Sequence, residues 1–383
     1  MKVKPHKIYS PYIDGKTLSQ FYDALKQEWA VRGALMPDAH LGYSLPIGGV
    51  VATDGVISPA YVGYDIGCGM CALKVEGVTS QDIRAHSEAI FRGIYGSIPT
   101  GFSINRTEAP HATNLKHEDL TPVASDIALS KNWLSALGSL GGGNHFIEIG
   151  ATEEGEVWIV IHSGSRGVGH GIATHYMKLA SNSRKAKEGH HVLSVSSEMG
   201  QAYINDMNWT LQYALDNRAE MMRRVLAEIA FATKKVQNPY PLRPDTMINR
   251  NHNHATERDG LWIHRKGATH AEKGMLGVIP GNMRDGSFIV RGLGNPESLY
   301  SSSHGAGRVL GRKQAKEQLD VGVFHQQMEG VTALVNESTL DESPDAYKNI
   351  WEVMLLQKDL VEVVAHIMPL INIKAGKLDP QCA

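Results

Sequence analysis

The chain has 383 residues, a formal net charge of −2, 42% hydrophobic and 20% charged residues. This balance excludes intrinsic disorder and a broadly basic nucleic-acid surface, although a few Lys and Arg in one cleft would still serve phosphate. No apolar run reaches the ~18 residues of a membrane span, the start Met1-Lys2-Val3-Lys4-Pro5 lacks a signal peptide's apolar centre, and Cys68, Cys71 and Cys382 cannot build a disulfide framework. The expectation is a cytoplasmic protein with reduced thiols and no membrane partner.

In chain order, Thr17-Leu18-Ser19-Gln20 reads as a capping box opening a helix that stops near Gly33. Residues 44–52 and 56–62 read as short strands around glycine turns. Residues 156–162 read as a buried strand, followed by the loop Ser163-Gly164-Ser165-Arg166-Gly167 and a helix from about 170. The segment 182–191 is polar and basic, a solvated loop or a set of phosphate contacts. From 198 to 232, Ile204, Met207, Leu211, Leu215, Met222, Leu226 and Ile229 form the stripe of a core-facing helix. Strands are expected near 261–265 and 287–291, and a second long helix over 346–367. At about 150 residues per domain the length allows two or three domains. Without repeats or linkers, the expectation is one large domain, 1–383, of mixed α+β class, because no regular βαβ rhythm appears.

The 39 glycines and 18 histidines are the unusual counts. Glycines let backbone approach a ligand, and histidines serve as ligands, bases or nucleophiles. In Val62–Met70, Asp65 and Cys68 lie three residues apart among glycines. They could share one metal or bridge two, or form a plain glycine turn with a buried thiol. In Leu140–Glu148, Gly141-Gly142-Gly143 can present backbone N–H groups to an anion, with His145 as a ligand and Asn144 on phosphate. His162 ends the buried strand, and Arg166 in its Ser/Gly loop suits phosphate. Ser163 occupies the first glycine position of a nucleophile elbow, so that motif is absent. In Asn249–Ala255, His252 and His254 match no zinc spacing, and one as ligand with the other behind it is the simplest arrangement. In Ser301–Arg308, His304 stands beside Gly305 and Gly307, where it could approach a phosphate as a covalent nucleophile. No Walker A motif occurs, and Gly292-Leu293-Gly294 lacks a dinucleotide fingerprint's context. Together these groups point to metal-assisted phosphate chemistry, not to a Ser/His/Asp hydrolase.

The strings MPDAHLGYSLPIGG (36–49), VGYDIGCGM (62–70), LGGGNHFIEI (140–149), HSGSRGVG (162–169), HRKGA (264–268), IPGNM (279–283), RGLGN (291–295) and SSSHGAGR (301–308) resemble the RtcB RNA ligases, over about residues 36–376. The resemblance implies an enzyme that joins RNA 3′-phosphate or 2′,3′-cyclic phosphate ends to 5′-hydroxyl ends. It implies GTP, two manganese ions and a histidine–GMP intermediate. His304 would be the nucleophile. Asp65, Cys68 and His145 would hold one ion, and Cys68, His162 and His252 the other, with His254 as the alternative to His252. Asn144, Phe146, Glu148, Asn253, Ser287, Gly305, Ala306, Gly307, Tyr347 and Lys374 would contact nucleotide, and Arg166 RNA or a transferring phosphate.

Four departures from the family pattern stand out. Ala39 replaces valine, and Asn282 replaces the serine of IPG-Ser-Met. His254 follows Asn253, and Ala375 separates Lys374 from Gly376. Thiolate and imidazole favour zinc on softness, whereas the family uses manganese. The implied partners are RNA with broken ends, tRNA or rRNA, an archease-like activator and, for a short divergent subgroup, a release-factor-like protein. Two other readings use the same residues: a dinuclear metallo-phosphoesterase that needs no His304, and a weakly catalytic RNA-binding paralogue.

Overall fold

The computed structural model describes residues 3–186, 188–236 and 246–377; Cys382 lies outside them. The class is α+β, as expected. The larger sheet runs in the order Leu276–Pro280, Ser287–Gly292, Val361–Ile373, Phe146–Ala151, Glu156–Ser163, Gly69–Thr79 and Ile248–Asn251, with Thr332–Ala333 parallel to Val361–Ile373. A second, five-stranded sheet runs His6–Ile8, Ala30–Tyr43, Leu45–Asp54, Leu261–Lys266 and Asn253–Arg258.

Strand Glu156–Ser163 is buried over its last five residues, as expected for a strand covered on both faces. On one side Ile159 and Ile161 meet Met221, Met222, Val225 and Ile229 of the helix Glu198–Thr233. On the other, Val160 packs with Met70, Phe146, Ile289 and Ile367. The helix is capped by Ser197, whose hydroxyl accepts from Gly200 N. Its inner face is not purely apolar, because Asp206, Asn217 and Arg218 are fully buried on it.

Register, more than any single element, creates the site. Met70 and Phe146 both lie opposite His162, and Gly69 lies opposite both Ser163 and Asn251. Cys68, His145, His162 and His252 therefore emerge in a row at one end of the sheet. Arg218 ties that end together. Its Nη1 donates to Gly67 O at 2.9 Å and Ser163 O at 2.8 Å, its Nε to Asn249 Oδ1 at 2.7 Å and its Nη2 to Asn251 Oδ1 at 2.6 Å.

Several expected elements differ. The first helix is Gly15–Leu25, capped by Asp14, which accepts from Lys16 N and Thr17 N; Thr17 instead donates its hydroxyl to Asp14 at 2.6 Å. Gly33 lies inside a strand. Of residues 56–62 only Val56–Ile57 are strand, and Pro59 starts a helical turn, its fixed φ suiting the first helical position. The helix expected from about 170 begins at Arg166. The helix expected over 346–367 is only Ile350–Leu355. From Val361 onward the chain is strand, because Val361, Val363, Val364 and Ile367 are β-branched and the segment pairs with Ser287–Gly292. The segment 182–191, described except for Lys187, is loop, fixed by Gly189 N donating to Ser44 Oγ. No helix among the described residues is long and apolar enough to cross a membrane.

Replacing Arg218 by Met leaves two buried carbonyls and two asparagines without their donor. The expected loss of stability is about 3–5 kcal/mol, read as a lower denaturation midpoint. An unchanged midpoint would show that the clamp is dispensable.

Candidate active site

At the row of strand ends, donors follow one another at contact distance. His145 Nε2 is 3.2 Å from Asp65 Oδ2 and 3.4 Å from Cys68 Sγ. Cys68 Sγ is 3.2 Å from His162 Nε2, which is 3.3 Å from His252 Nε2. Ligands about 2.0–2.3 Å from a tetrahedral ion lie about this far from one another, so the donor set fits metal. Among the described residues Cys68, His145 and His162 converge as one three-ligand group. The thiol is central in the row, within 3.4 Å of both His145 and His162.

The protonation states suit ligation. Burial, reinforced by the other cationic groups, holds His162 and His252 well below the usual imidazole range, as neutral donors. Burial and the Asp65 carboxylate push the Cys68 thiol up, so its proton must be exchanged for a cation. The remaining ring nitrogens are held by backbone: His145 Nδ1 contacts Leu140 O at 3.0 Å and His162 Nδ1 contacts Asn144 O at 3.2 Å. His254 turns away, stacked on His270 at 4.6 Å and 3.3 Å from Arg265 Nη1.

His304 lies 4.8 Å from His252, ring centre to ring centre. Its Nδ1 is 2.7 Å from Asp38 Oδ2, which also accepts the His304 backbone N–H at 3.2 Å. Asp38 is fully buried. Burial would raise its pKa, but the charge and hydrogen bond of His304 outweigh it and keep it ionised. An ionised carboxylate only accepts, so the Nδ1 facing it carries a proton, and Nε2 is the ring nitrogen that Asp38 leaves unengaged. Gly307, at φ +77°, passes directly over Asp38, and a Cβ there would collide with the Asp38 carbonyl.

Next to His304 a cavity of about 270 Å³ is lined by Asn144, Phe146, Glu148, His162, Gly305, Ala306, Gly307, Tyr347 and Lys374 among others. Four of its lining residues, Arg308, Arg312, Tyr347 and Lys374, converge on one buried carboxylate. Glu342 accepts from Lys374 Nζ and Tyr347 OH, each at 2.6 Å, from Arg312 Nη1 at 2.7 Å and from Arg308 Nη1 at 3.1 Å. Burial alone would raise Glu342, but the Lys374 and Arg312 cations hold it down at about 2. Glu148 is the opposite case. Burial pushes it up to about 8, against the weaker pull of Ser287, Asn372 and Lys374. Glu148 Oε1 and Asn372 Oδ1, both on the cavity wall, are buried acceptors without a partner.

Two expected nucleotide contacts, Ser287 and Asn253, lie off the cavity lining. Ser287 is buried behind Glu148 and off the cavity lining. Asn253 is occupied in the fold, donating to Asp65 O at 3.1 Å and accepting Gly267 N at 2.8 Å. Asn282 lines the cavity but turns its amide onto its own loop, bonded to Arg284 N, Asp285 N and Asp285 Oδ2. Arg166 is folded against the glycine loop, donating to Ser139 Oγ at 3.0 Å and Gly101 O at 2.7 Å.

Sequence reasoning passed over Asp38, His40, Arg312, Glu342 and Asn372. Asp38 and His40 carried a signal, lying in the quoted string 36–49. The other three are polar residues in otherwise ordinary segments.

A family model described as "tRNA-splicing ligase RtcB" matches residues 20–375. The chain belongs to the RtcB family. It is 36% identical over 371 residues to the RNA-splicing ligase RtcB of Escherichia coli K12, covering 89% of each chain. Against the Mycobacterium tuberculosis RNA-splicing ligase RtcB it is 31% identical, covering 88% of this chain and 96% of the relative. Against the Aeropyrum pernix tRNA-splicing ligase RtcB it is 31% identical, covering 87% and 83%. The RtcB match spans every strand end that contributes to the donor row, from Asp65 to His252, as well as His304 and Lys374.

Two outcomes follow from the geometry. Glu148 keeps its proton in the fold up to about pH 8, whereas the unfolded chain loses it near 4.5. Stability should therefore fall as pH rises between these values. Glu148→Gln removes that slope, with a gain on the order of 3 kcal/mol at pH 8 that vanishes near pH 4.5, read from denaturant midpoints at several pH values without nucleotide. Titrated with Co²⁺, the protein should show thiolate-to-metal charge-transfer absorption that is absent from Cys68→Ala. A band that survives this substitution would place the metal elsewhere.

Proposed function

We propose that the chain is a GTP-dependent RNA ligase, joining RNA 3′-phosphate or 2′,3′-cyclic phosphate ends to 5′-hydroxyl ends through His304. The observation that carries this reading is the Asp38–His304 pair. It engages Nδ1 and leaves the other imidazole nitrogen of a residue at the wall of a nucleotide-sized cavity, beside a row of five candidate metal donors. A metallo-phosphoesterase would need the donor row but not the buried carboxylate behind His304.

His304 Nε2 attacks the α-phosphate of GTP. The N–P bond forms, the bond to the β-phosphate oxygen breaks, and pyrophosphate leaves. The negative charge of Asp38 stabilises the imidazole as it becomes cationic. The RNA 3′-phosphate oxygen then takes GMP from His304, and the 5′-hydroxyl displaces GMP to form the phosphodiester. Asp65, Cys68, His145, His162 and His252 would hold two divalent ions, assigned as manganese on the family resemblance. When bound, such ions neutralise phosphate charge, align the in-line displacement and activate the water that opens a cyclic phosphate.

The base is assigned as guanine from the orphaned acceptors Glu148 Oε1 and Asn372 Oδ1. Guanine presents two donors on its pairing edge, N1–H and N2–H, whereas adenine presents an acceptor at N1. Lys374 and Tyr347 line the same cavity and are held there by Glu342. Arg166 stands beside the glycine loop for an RNA phosphate. We take broken tRNA or rRNA as the substrate class, and cytoplasm as the compartment.

The test is direct. With GTP and Mn²⁺ the wild type should form an acid-labile, base-stable protein–GMP adduct on the peptide bearing His304, and ligate 3′-phosphate to 5′-hydroxyl RNA. His304→Ala should lose both by at least about 10³-fold. RNA phosphatase activity without any adduct would replace this reading by the phosphoesterase one.

A further inference from the structure

Phe102 is the most exposed large hydrophobic side chain among the described residues, at 107% of its reference surface. It adds nothing to any core cluster, yet the loop that carries it is tightly fixed. Leu140 N donates to Pro99 O at 2.9 Å, and Gly101 N to Gly141 O at 2.8 Å. Arg166 Nη2 donates to Gly101 O, and Ser103 N closes a turn on Thr100 O at 3.2 Å. Downstream, Asn105 is bonded through its backbone and side chain to Ser135 O and Leu137 O.

The loop is therefore held against the glycine run 141–143 that leads into Asn144 and His145. A Cβ on Gly142 would lie 3.6 Å from Gly101 Cα, and one on Gly143 would lie 3.3 Å from Arg312 Nη2. Cations lie along the same loop: Arg166 beside Gly141, Arg312 beside Gly143 and Lys131 against Gly167. A rigidly presented aromatic ring beside backbone N–H groups and cations is the combination that holds single-stranded nucleic acid. Bases stack on the ring while phosphates follow the positive track.

We propose that Phe102 is a stacking platform for an unpaired base at the RNA end, with the adjoining phosphate over the Gly141–Gly143 loop beside Arg166. The proposal takes the nature of its ligand from the ligase reading above. It adds the side chain that grips RNA before chemistry, without pairing edges and hence without sequence preference.

The experiment uses the full chain and a short single-stranded oligoribonucleotide with a 3′-phosphate, in versions carrying bases or abasic sites at its last three positions. Affinity is read by fluorescence anisotropy. Phe102→Ala should bind the base-bearing probe about tenfold more weakly, and Phe102→Trp should restore binding. Wild type and Phe102→Ala should bind one of the abasic probes equally. Thermal midpoints should coincide, since the ring buries nothing. Equal affinity of wild type and Phe102→Ala for the base-bearing probe overturns the proposal, as does failure of the wild type to bind it. Adduct formation by the wild type is scored separately. Its absence would remove the ligase reading, while the binding comparison would still decide whether Phe102 stacks a base.

Discussion

One buried guanidinium holds the site in register. Arg218 sits in the core face of the long helix, where burial lowers its pKa and only the thiols and carboxylate nearby offset this. A cation in such a place is tolerable only if its donors are met. They are met by Gly67 and Ser163, the residues next to Cys68 and His162, and by Asn249 and Asn251, which precede His252. Three neighbouring strand ends from distant parts of the chain thus share one bonding partner. The hydrogen-bond lengths between them, and hence the spacing of the metal donors, are set by the shape of a single planar fork.

The electrostatics of the cavity follow the same logic with different outcomes. Three buried carboxylates surround it. Asp38 and Glu342 remain ionised because each has cationic or protonated partners at hydrogen-bond distance. Glu148 has only a serine and an amide close by and a more distant ammonium, and so burial prevails. The difference divides their tasks. Asp38 supplies charge to His304. Glu342 keeps Lys374, Arg308, Arg312 and Tyr347 in a fixed array. Glu148 retains an unmet acceptor, the one that the proposed reading gives to a nucleobase.

Much of this was legible from residue type and local pattern. The strand ending at His162 announced itself by five consecutive apolar or buried positions, and the helix 198–233 by its apolar stripe. The thiol, carboxylate and histidines of the donor row were singled out from their glycine-rich settings. What was not legible depends on long-range register or on polar residues that act from a distance. Asp206, Asn217 and Arg218 break no helical pattern, and nothing local says that they face inward. Glu342 sits in a short 3-10 turn, and its four partners come from three other segments. The segment 346–367, expected as one helix, failed differently. Its apolar residues recur at helical spacing, but β-branching and pairing with Ser287–Gly292 overrode the periodicity.

Arg166 shows how these pieces become one body. Its φ of +58° places a non-glycine residue in the left-handed region, a cost of about 1–2 kcal/mol. The strain persists because the guanidinium is held at both ends of its fork, by Ser139 Oγ and Gly101 O. Relaxing the backbone would withdraw both bonds. Gly141, at φ +90°, leaves the room that this requires, since a Cβ there would strike Arg166. The strained residue therefore joins the end of the His162 strand to the glycine loop before His145 and to the loop bearing Phe102. A shift in any one of them must move the others. On the proposed reading, a metal ligand, an anion-binding backbone and an exposed aromatic are thereby kept at fixed spacing, which in-line transfer between two chain ends demands.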